Sequence, residues 1–482
     1  MEIIMIIAGI WIAIAYVSER NSSKKKKQYY QNYHQKPIYT KPKLNERQIE
    51  IDGIKLSDEQ QRIFDIVENE DKNVFITGKA GTGKSALLQY FKYNSKKQLV
   101  VVAPTGVAAL NVGGQTINSL FGIPPEFISK ERLNQIKIYP KTMHLLKNID
   151  TVVIDEISMV RADLMDAIDH VLKKARNSEQ PFGGVQLVMF GDLYQLPPVV
   201  SDPELHKYFA HNYGGFYFFN AHAWTELPVI YELTTIFRQK DENFKSILNE
   251  IRHGSISDEL LIELNQRAKC QIPEEGTITL AMTNNSVNRT NTIRLSKLDS
   301  KMFTYKAEIE GALDKAIFPT EEFLHLKVGA QVMFLKNDKQ KKWVNGTIGI
   351  IESLSENQIR VNIDGIVYPV EQETWNKIRY YYNQQERKVE EEIISSFTQY
   401  PLRLAWAITV HKSQGQTFGS VAVDMGDGAF THGQTYVALS RCTTLEGLFL
   451  KRDIFKEDIM IDSDIVKFMN SVKVVNKNTG NS

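Results

Sequence analysis

The chain of 482 residues has room for about three domains, which excludes a small scaffold held together by staples. Its 58 Lys and Arg against 57 Asp and Glu leave a net charge of +1, so a uniformly basic nucleic-acid coat is excluded and charge has to be read region by region. Only two cysteines occur, Cys270 and Cys442, with no ligand-spaced His; a disulfide framework and structural zinc are excluded, a reducing compartment is expected, and 42% hydrophobic residues exclude wholesale disorder.

Ile3 to Val17 is an uncharged apolar run, followed by Glu19, Arg20 and Lys24 to Lys27. As a helix it would reach about 22 Å, short of the roughly 30 Å hydrocarbon core, so residues 1–17 read either as a short membrane anchor with snorkelling flanks or as a buried extension. No A-x-A-like site follows, which argues against a cleaved signal. The basic residues behind the run predict a cytoplasmic body, tethered to the inner membrane face if the run is an anchor. Residues 18–45 are polar and basic without an apolar period, the composition of a flexible linker.

Next comes Leu56-Ser57-Asp58-Glu59-Gln60, a helix start with Ser57 as N-cap and Gln60 as its capping-box partner. The short apolar strand Asn73 to Thr77 then runs into Gly78-Lys79-Ala80-Gly81-Thr82-Gly83-Lys84-Ser85 and a helical pattern. This is G-x-x-x-x-G-K-S in its strand–loop–helix context. The glycines let successive N–H groups face phosphates at a helix N-terminus, Lys84 reaches the β and γ oxygens, and Ser85 ligates Mg2+. The expected ligand is a nucleoside triphosphate.

The buried strand Thr151 to Ile154 ends in Asp155-Glu156. Beside a phosphate loop, Asp155 can hold Mg2+ and Glu156 can take the proton of an attacking water. The strand Val185 to Phe190 leads into Gly191-Asp192-Leu193-Tyr194-Gln195-Leu196-Pro197-Pro198, where Gln195 is placed to sense the γ-phosphate. Strands near 73, 99, 151 and 185, separated by helical stretches, predict a parallel α/β core with ligands at its carboxyl edge. The aromatic cluster from Tyr208 to Trp224 reads as core packing in preference to base stacking. From Val328 to Tyr368 short strands alternate with turn residues, as in a small barrel. Arg379 to Glu392 reads as a charged, solvated loop.

These residues, in this order, resemble the motifs of the Pif/RecD-like DNA helicases of superfamily 1 group B, closest to the Pif-type branch. LSxEQ, GKAGTGKS, APTGVAA, GGxT, DEIS, GDLYQLPPV, Phe237-Arg238-Gln239, Thr409-Val410-His411-Lys412-Ser413-Gln414-Gly415 and Tyr436 to Arg441 carry the resemblance, over about residues 55–450. It implies an α/β fold of two RecA-like parallel-sheet lobes, that is, a P-loop NTPase, with a small β-barrel inserted in the second. The first lobe would be 46–230 with a short wedge insertion at about 122–144, the second 231–324 and 401–455, the barrel 325–400, and 456–482 a C-terminal tail.

The same resemblance implies an ATP- and Mg2+-dependent DNA helicase moving 5′ to 3′ on single-stranded DNA and opening forked duplex DNA; the sequence does not fix the oligomeric state, and a monomer is the expectation. A protein-displacing translocase and a membrane-tethered, nucleic-acid-binding ATPase switch are the alternatives. Arg238 and Arg441 would stabilise charge on the γ-phosphoryl group, an effect worth about 10³ to 10⁵ in rate in related phosphoryl transfers. Gln60 would contact adenine. DNA contacts would come from Pro104, Thr105, Gly106 and Thr116, at strand ends or helix starts where hydroxyls and N–H groups can meet phosphates without reading sequence, from Asn118 where the family commonly has His, from Asn284, and from His411, Lys412 and Ser413.

Overall fold

The computed structural model describes residues 55–472 and 474, apart from 201, 240 and 341. The expected anchor at 1–17, the linker at 18–45 and the end of the expected tail lie outside the described residues.

The first lobe is built on six parallel strands, β1 (Val74–Gly78), β2 (Leu99–Ala103), β3 (Gln115–Thr116), β4 (Thr151–Ile154), β5 (Gln186–Phe190) and β6 (Val229–Leu233), in the order β3-β2-β4-β5-β1-β6. The inner strands are near-continuous apolar runs because both faces of a parallel sheet are covered. Alternation along each strand divides the core between the faces. Val100, Val102, Val152 and Ile154 pack under the helix Ala162–Arg176. Val101, Val153, Val188 and Ile76 pack under the helices Asp58–Asn69 and Lys84–Asn94. The aromatic cluster is core, as expected: Phe209, Tyr213, Tyr217 and Phe218 are buried.

The second lobe has a parallel sheet ordered Ala407–Thr409, Ile278–Ala281, Val421–Asp424, Leu448–Leu450, packed on the helices Glu242–Arg252 and Gln434–Leu439. Within it is inserted an antiparallel sheet of Gln331–Phe334, Ile348–Leu354, Ile359–Ile363, Ile366–Val370 and the returning Leu402–Leu404, with its own core around Val332, Phe334, Ile351 and Val361. The strand pair Phe303–Lys306 and Phe323–Leu326 adds Tyr305, Leu324 and Leu326 to that core, so the inserted module draws on residues earlier than 325.

Two segments differ from expectation. Arg379 to Glu392 is not a solvated loop: Glu373–Asn383 and Lys388–Gln399 form a long antiparallel hairpin, and its Ile378 and Tyr380 enter the first lobe's core. The tyrosines disguise its alternation in a charged sequence. The expected tail contains the helix Ser463–Ser471, whose Ile465 and Phe468 also belong to that core. Chain that follows the second lobe therefore returns to the first.

Candidate functional site

Strand β1 delivers Gly78 to the loop, and the helix starts at Lys84 behind Gly83. Gly81 and Gly83 adopt φ of +83° and +81°, and a Cβ on Gly81 would collide with Arg238. Glycine is required at Gly81 for both reasons. Lys84 Nζ donates to the carbonyls of Gly78 at 2.6 Å and Lys79 at 3.1 Å, and burial lowers its pKa. Ser57 and Gln60 form the expected capping box. Gln60 Nε2 also donates to the carbonyls of Gly83 at 3.2 Å and Thr82 at 3.4 Å, bracing the loop from outside. Both ends of this amide are engaged within the protein, so here Gln60 supports the phosphate loop.

The loop opens on a cleft of ≈ 370 Å³ lined by both lobes. The first lobe contributes the loop with Ser85, Asp155, Glu156, Asp192 and Gln195; the second side contributes Phe237, Arg238, Gly415, Thr417 and Arg441. Asp155 and Glu156 follow β4 at the sheet's carboxyl edge. Burial raises both carboxyl pKa values, and the charge of Asp155 raises that of Glu156 further. Glu156 has φ +51°, a strained conformation for a residue with a Cβ. Opposite stand the arginines. Burial pushes Arg238 down to about 10; burial together with Arg238's charge pushes Arg441 down to about 9. Three cations, Lys84, Arg238 and Arg441, are thus desolvated around one cavity, an arrangement that a polyanion such as a triphosphate relieves. Asp155, a desolvated carboxylate beside exposed Ser85, has the donor chemistry of a hard-cation site whose remaining ligands are phosphate and water.

Several contacts in this cleft were not assigned roles from sequence. Tyr436 accepts the Ala80 N–H on its hydroxyl at 2.9 Å, across 356 residues. Phe237 donates its N–H to the Gly81 carbonyl at 2.9 Å and leaves its ring exposed. Gln195 donates to Asp192 at 3.2 Å, and Asp192 is paired with Arg252. Gln414 donates to Glu156 at 2.8 Å. Apart from Arg252, all lie inside or next to the quoted motifs, so the motifs themselves were the available signal.

The residues expected to face DNA fall outside the cleft. Thr105 and Thr116 are helix N-caps, accepting the N–H groups of Ala108 and Ser119, each at 3.2 Å. A Cβ on Gly106 would collide with Ile317, so the inserted module rests against the Pro104-Thr105-Gly106 turn. The Asn118 amide donates to the carbonyls of Ile123 and Pro124 at 3.2 and 2.9 Å, fixing the start of the 122–144 segment. Asn284 is exposed at the start of the helix Asn284–Ser296. His411 is half-buried, with its pKa lowered by burial, and Lys412 is exposed. Ser413 is buried and donates to the Val410 carbonyl at 2.7 Å, so its side chain faces inward, a correction to its expected DNA contact.

Residues 55–260 match the family model for the PIF1-like helicase, and residues 308–354 that for the DNA helicase Pif1 2B domain. The chain is 35% identical over 428 residues to the ATP-dependent DNA helicase PIF1 of Rattus norvegicus, a match covering 86% of this chain and 64% of the rat protein. It thus spans less than two thirds of that relative. The ATP-dependent DNA helicase Pif1 of Bdellovibrio bacteriovorus is 31% identical over 417 residues, covering 82% of this chain and 88% of that protein. Among solved structures, Bacteroides sp Pif1 in complex with ADP-AlF4 is similar with a TM-score of 0.79 at 39% identity, over 86% of this chain and 97% of that one. Bacteroides Pif1 bound to ssDNA gives 0.63 at 39% identity over the same shares.

Proposed function

The chain belongs to the PIF1-like helicase family, and on that premise we propose that it is an ATP-dependent DNA helicase that moves 5′ to 3′ along single-stranded DNA and opens forked duplex. The observation that carries this reading is the composition of the cleft: Lys84 and Glu156 come from one lobe, Arg441 from the other. Hydrolysis chemistry assembled from two bodies changes the preferred distance between them whenever ATP becomes ADP, and that is what a translocating motor requires.

In the reaction, the loop N–H groups and Lys84 hold the phosphates. Glu156 takes the proton of the water that attacks the γ-phosphorus. The bond to the β–γ bridging oxygen breaks, and Arg238 and Arg441 neutralise the charge that spreads over the phosphoryl oxygens. Gln195 orients the γ-phosphate. Mg2+, held by Ser85 and Asp155, would supply further charge neutralisation at the phosphates. The outward turns at Thr105, Thr116, Asn284 and His411–Lys412 form the proposed DNA track, one part on each lobe.

The test is ATP turnover with and without oligonucleotides, and unwinding of forks carrying 5′ or 3′ tails. Strand-stimulated turnover and unwinding from the 5′ tail support the reading. Turnover indifferent to single strands would sink it, and stimulation without unwinding would leave a protein-displacing translocase. Residues 1–17 are proposed as a short tether to the cytoplasmic membrane face and the working unit as a monomer. No helix among the described residues is long and apolar enough to cross a membrane. Membrane fractionation with and without residues 1–45, together with light scattering, tests both.

A further inference from the structure

Gln414 links the proposed DNA track to the hydrolytic carboxylate. It directly follows the turn His411–Ser413, and its Nε2 donates to Glu156 Oε2 at 2.8 Å, between residues 258 positions apart. The turn is a compact unit. Lys412 N–H donates to Thr409 Oγ1 at 3.2 Å, the Ser413 hydroxyl to the Val410 carbonyl at 2.7 Å, and Gln414 N–H to the His411 carbonyl at 3.3 Å. Beyond it Gly415 turns the chain with φ +79°, and Gln416 N–H donates back to the Ser413 carbonyl at 3.0 Å. A displacement of His411 or exposed Lys412 is therefore passed through this bonded turn to the Gln414 amide.

Glu156 has to accept a proton from water. A carboxylate oxygen that already accepts an N–H is aimed at that donor instead of at the attacking water. We infer that Gln414 is a positioning residue that restrains Glu156 while the track is empty. A DNA phosphate bound at His411 and Lys412 draws the turn outward, the amide leaves Oε2, and the carboxylate is freed for the attacking water. DNA-dependence of hydrolysis thereby has a physical carrier, one hydrogen bond between the lobes. This inference rests on the helicase reading above.

The experiment uses the full chain with Gln414→Leu, Gln414→Ala and Gln414→Glu, the last replacing attraction by repulsion. Turnover is measured without DNA and at saturating single-stranded oligonucleotide, and oligonucleotide affinity by fluorescence anisotropy. Loss of one hydrogen bond to a charged group should raise the DNA-free kcat about tenfold and leave the DNA-saturated kcat within about twofold, so that stimulation falls about tenfold at unchanged affinity. An unaltered stimulation ratio, or an equal loss of both rates in a variant with the parent's melting temperature, overturns the inference. If one variant does not fold, the other two decide. A parent chain that no oligonucleotide stimulates would instead remove the helicase reading, and this inference with it.

Discussion

Arg252, the last residue of the helix Glu242–Arg252, places Nη2 3.1 Å from Asp192 Oδ1 across the lobe junction, with both side chains buried. Its guanidinium lies 4.2 Å from the centre of the Tyr194 ring, and Asp192 Oδ2 receives the Gln195 amide. Burial alone would raise the Asp192 pKa, but Arg252 and Lys84 outweigh it and hold the carboxyl below its ordinary range. Arg252→Met leaves that charge without its main partner and should cost about 3–5 kcal/mol in denaturant unfolding, whereas Arg252→Met with Asp192→Asn should recover most of the loss. Because the folded pKa is the depressed one, the Asp192 contribution is present above its unfolded pKa and is lost as pH falls through the folded value. Urea midpoints across acid pH should therefore fall less steeply in the double variant. Equal losses in the single and double variants would show that the pair is not the cause.

Arg441 is held inward, its Nε donating to the Val437 carbonyl at 3.0 Å and Nη2 to Ser440 Oγ at 2.9 Å. These contacts pre-orient a cation whose charge is poorly compensated until phosphate arrives. Arg441→Ala should lower kcat for ATP by about 10³-fold or more with a much smaller change in nucleotide affinity, because a guanidinium on a spreading phosphoryl charge acts mainly in the transition state. Single-turnover rates and fluorescent-ADP titration separate the two. A loss confined to affinity would remove Arg441 from the catalytic set.

What could be read from the sequence was local. The phosphate loop, the Asp155-Glu156 pair and the buried strands announce themselves because their chemistry or their apolar runs occupy consecutive residues. Partners far apart in the chain did not. Tyr436 meets Ala80 and Gln414 meets Glu156 only after both lobes have folded, and no periodicity encodes that encounter. Arg379 to Glu392 misled for another reason. Tyr and Glu occupy positions where a clear inside–outside alternation would show Ile or Val, so a hairpin with one face in the core carries the composition of a solvated loop.

Tyr380 shows what that hairpin does. Strand β3 pairs with β2 only at Val102 and Ala103, so β2 runs past its neighbour, and the Val101 N–H donates instead to the Tyr380 hydroxyl at 3.3 Å. Tyr380 N–H donates to Gln115 Oε1 at 2.8 Å, and Val389 N–H to Gln98 Oε1 at 2.7 Å. Tyr380→Phe leaves an interior N–H unpaired and should cost about 1–3 kcal/mol, while Tyr380→Ala adds a cavity and should cost about 3–5 kcal/mol. Amide exchange is the informative readout: protection should fall at Val101 and along the hairpin, and unchanged protection at Val101 in Tyr380→Phe would contradict the bond's role.

Phe468, on the helix Ser463–Ser471, lies parallel to Phe219, with ring centres 4.0 Å and planes 6° apart. At the start of the same helix the Tyr217 hydroxyl donates to Asp462 Oδ2 at 2.6 Å, and Asp462 Oδ1 caps the helix by accepting the Asp464 N–H at 2.9 Å. One carboxylate thus both begins the helix and fastens it to the first lobe. Burial and then this bond raise the Tyr217 pKa strongly, so its hydroxyl stays a donor throughout the physiological range. Phe468→Ala should destabilise the first lobe by about 3–5 kcal/mol through the cavity it leaves, and Tyr217→Phe by about 1.5–3 kcal/mol through the lost charged acceptor. Truncation after Ile461 should go further, because it uncovers the Phe218 and Phe219 surface: the melting temperature should fall and aggregation should set in on heating. The helix has this role only if nucleotide shifts the melting temperature of Phe468→Ala and the parent by similar amounts. A truncated chain that melts like the parent would show instead that the helix rests on the lobe without supporting it.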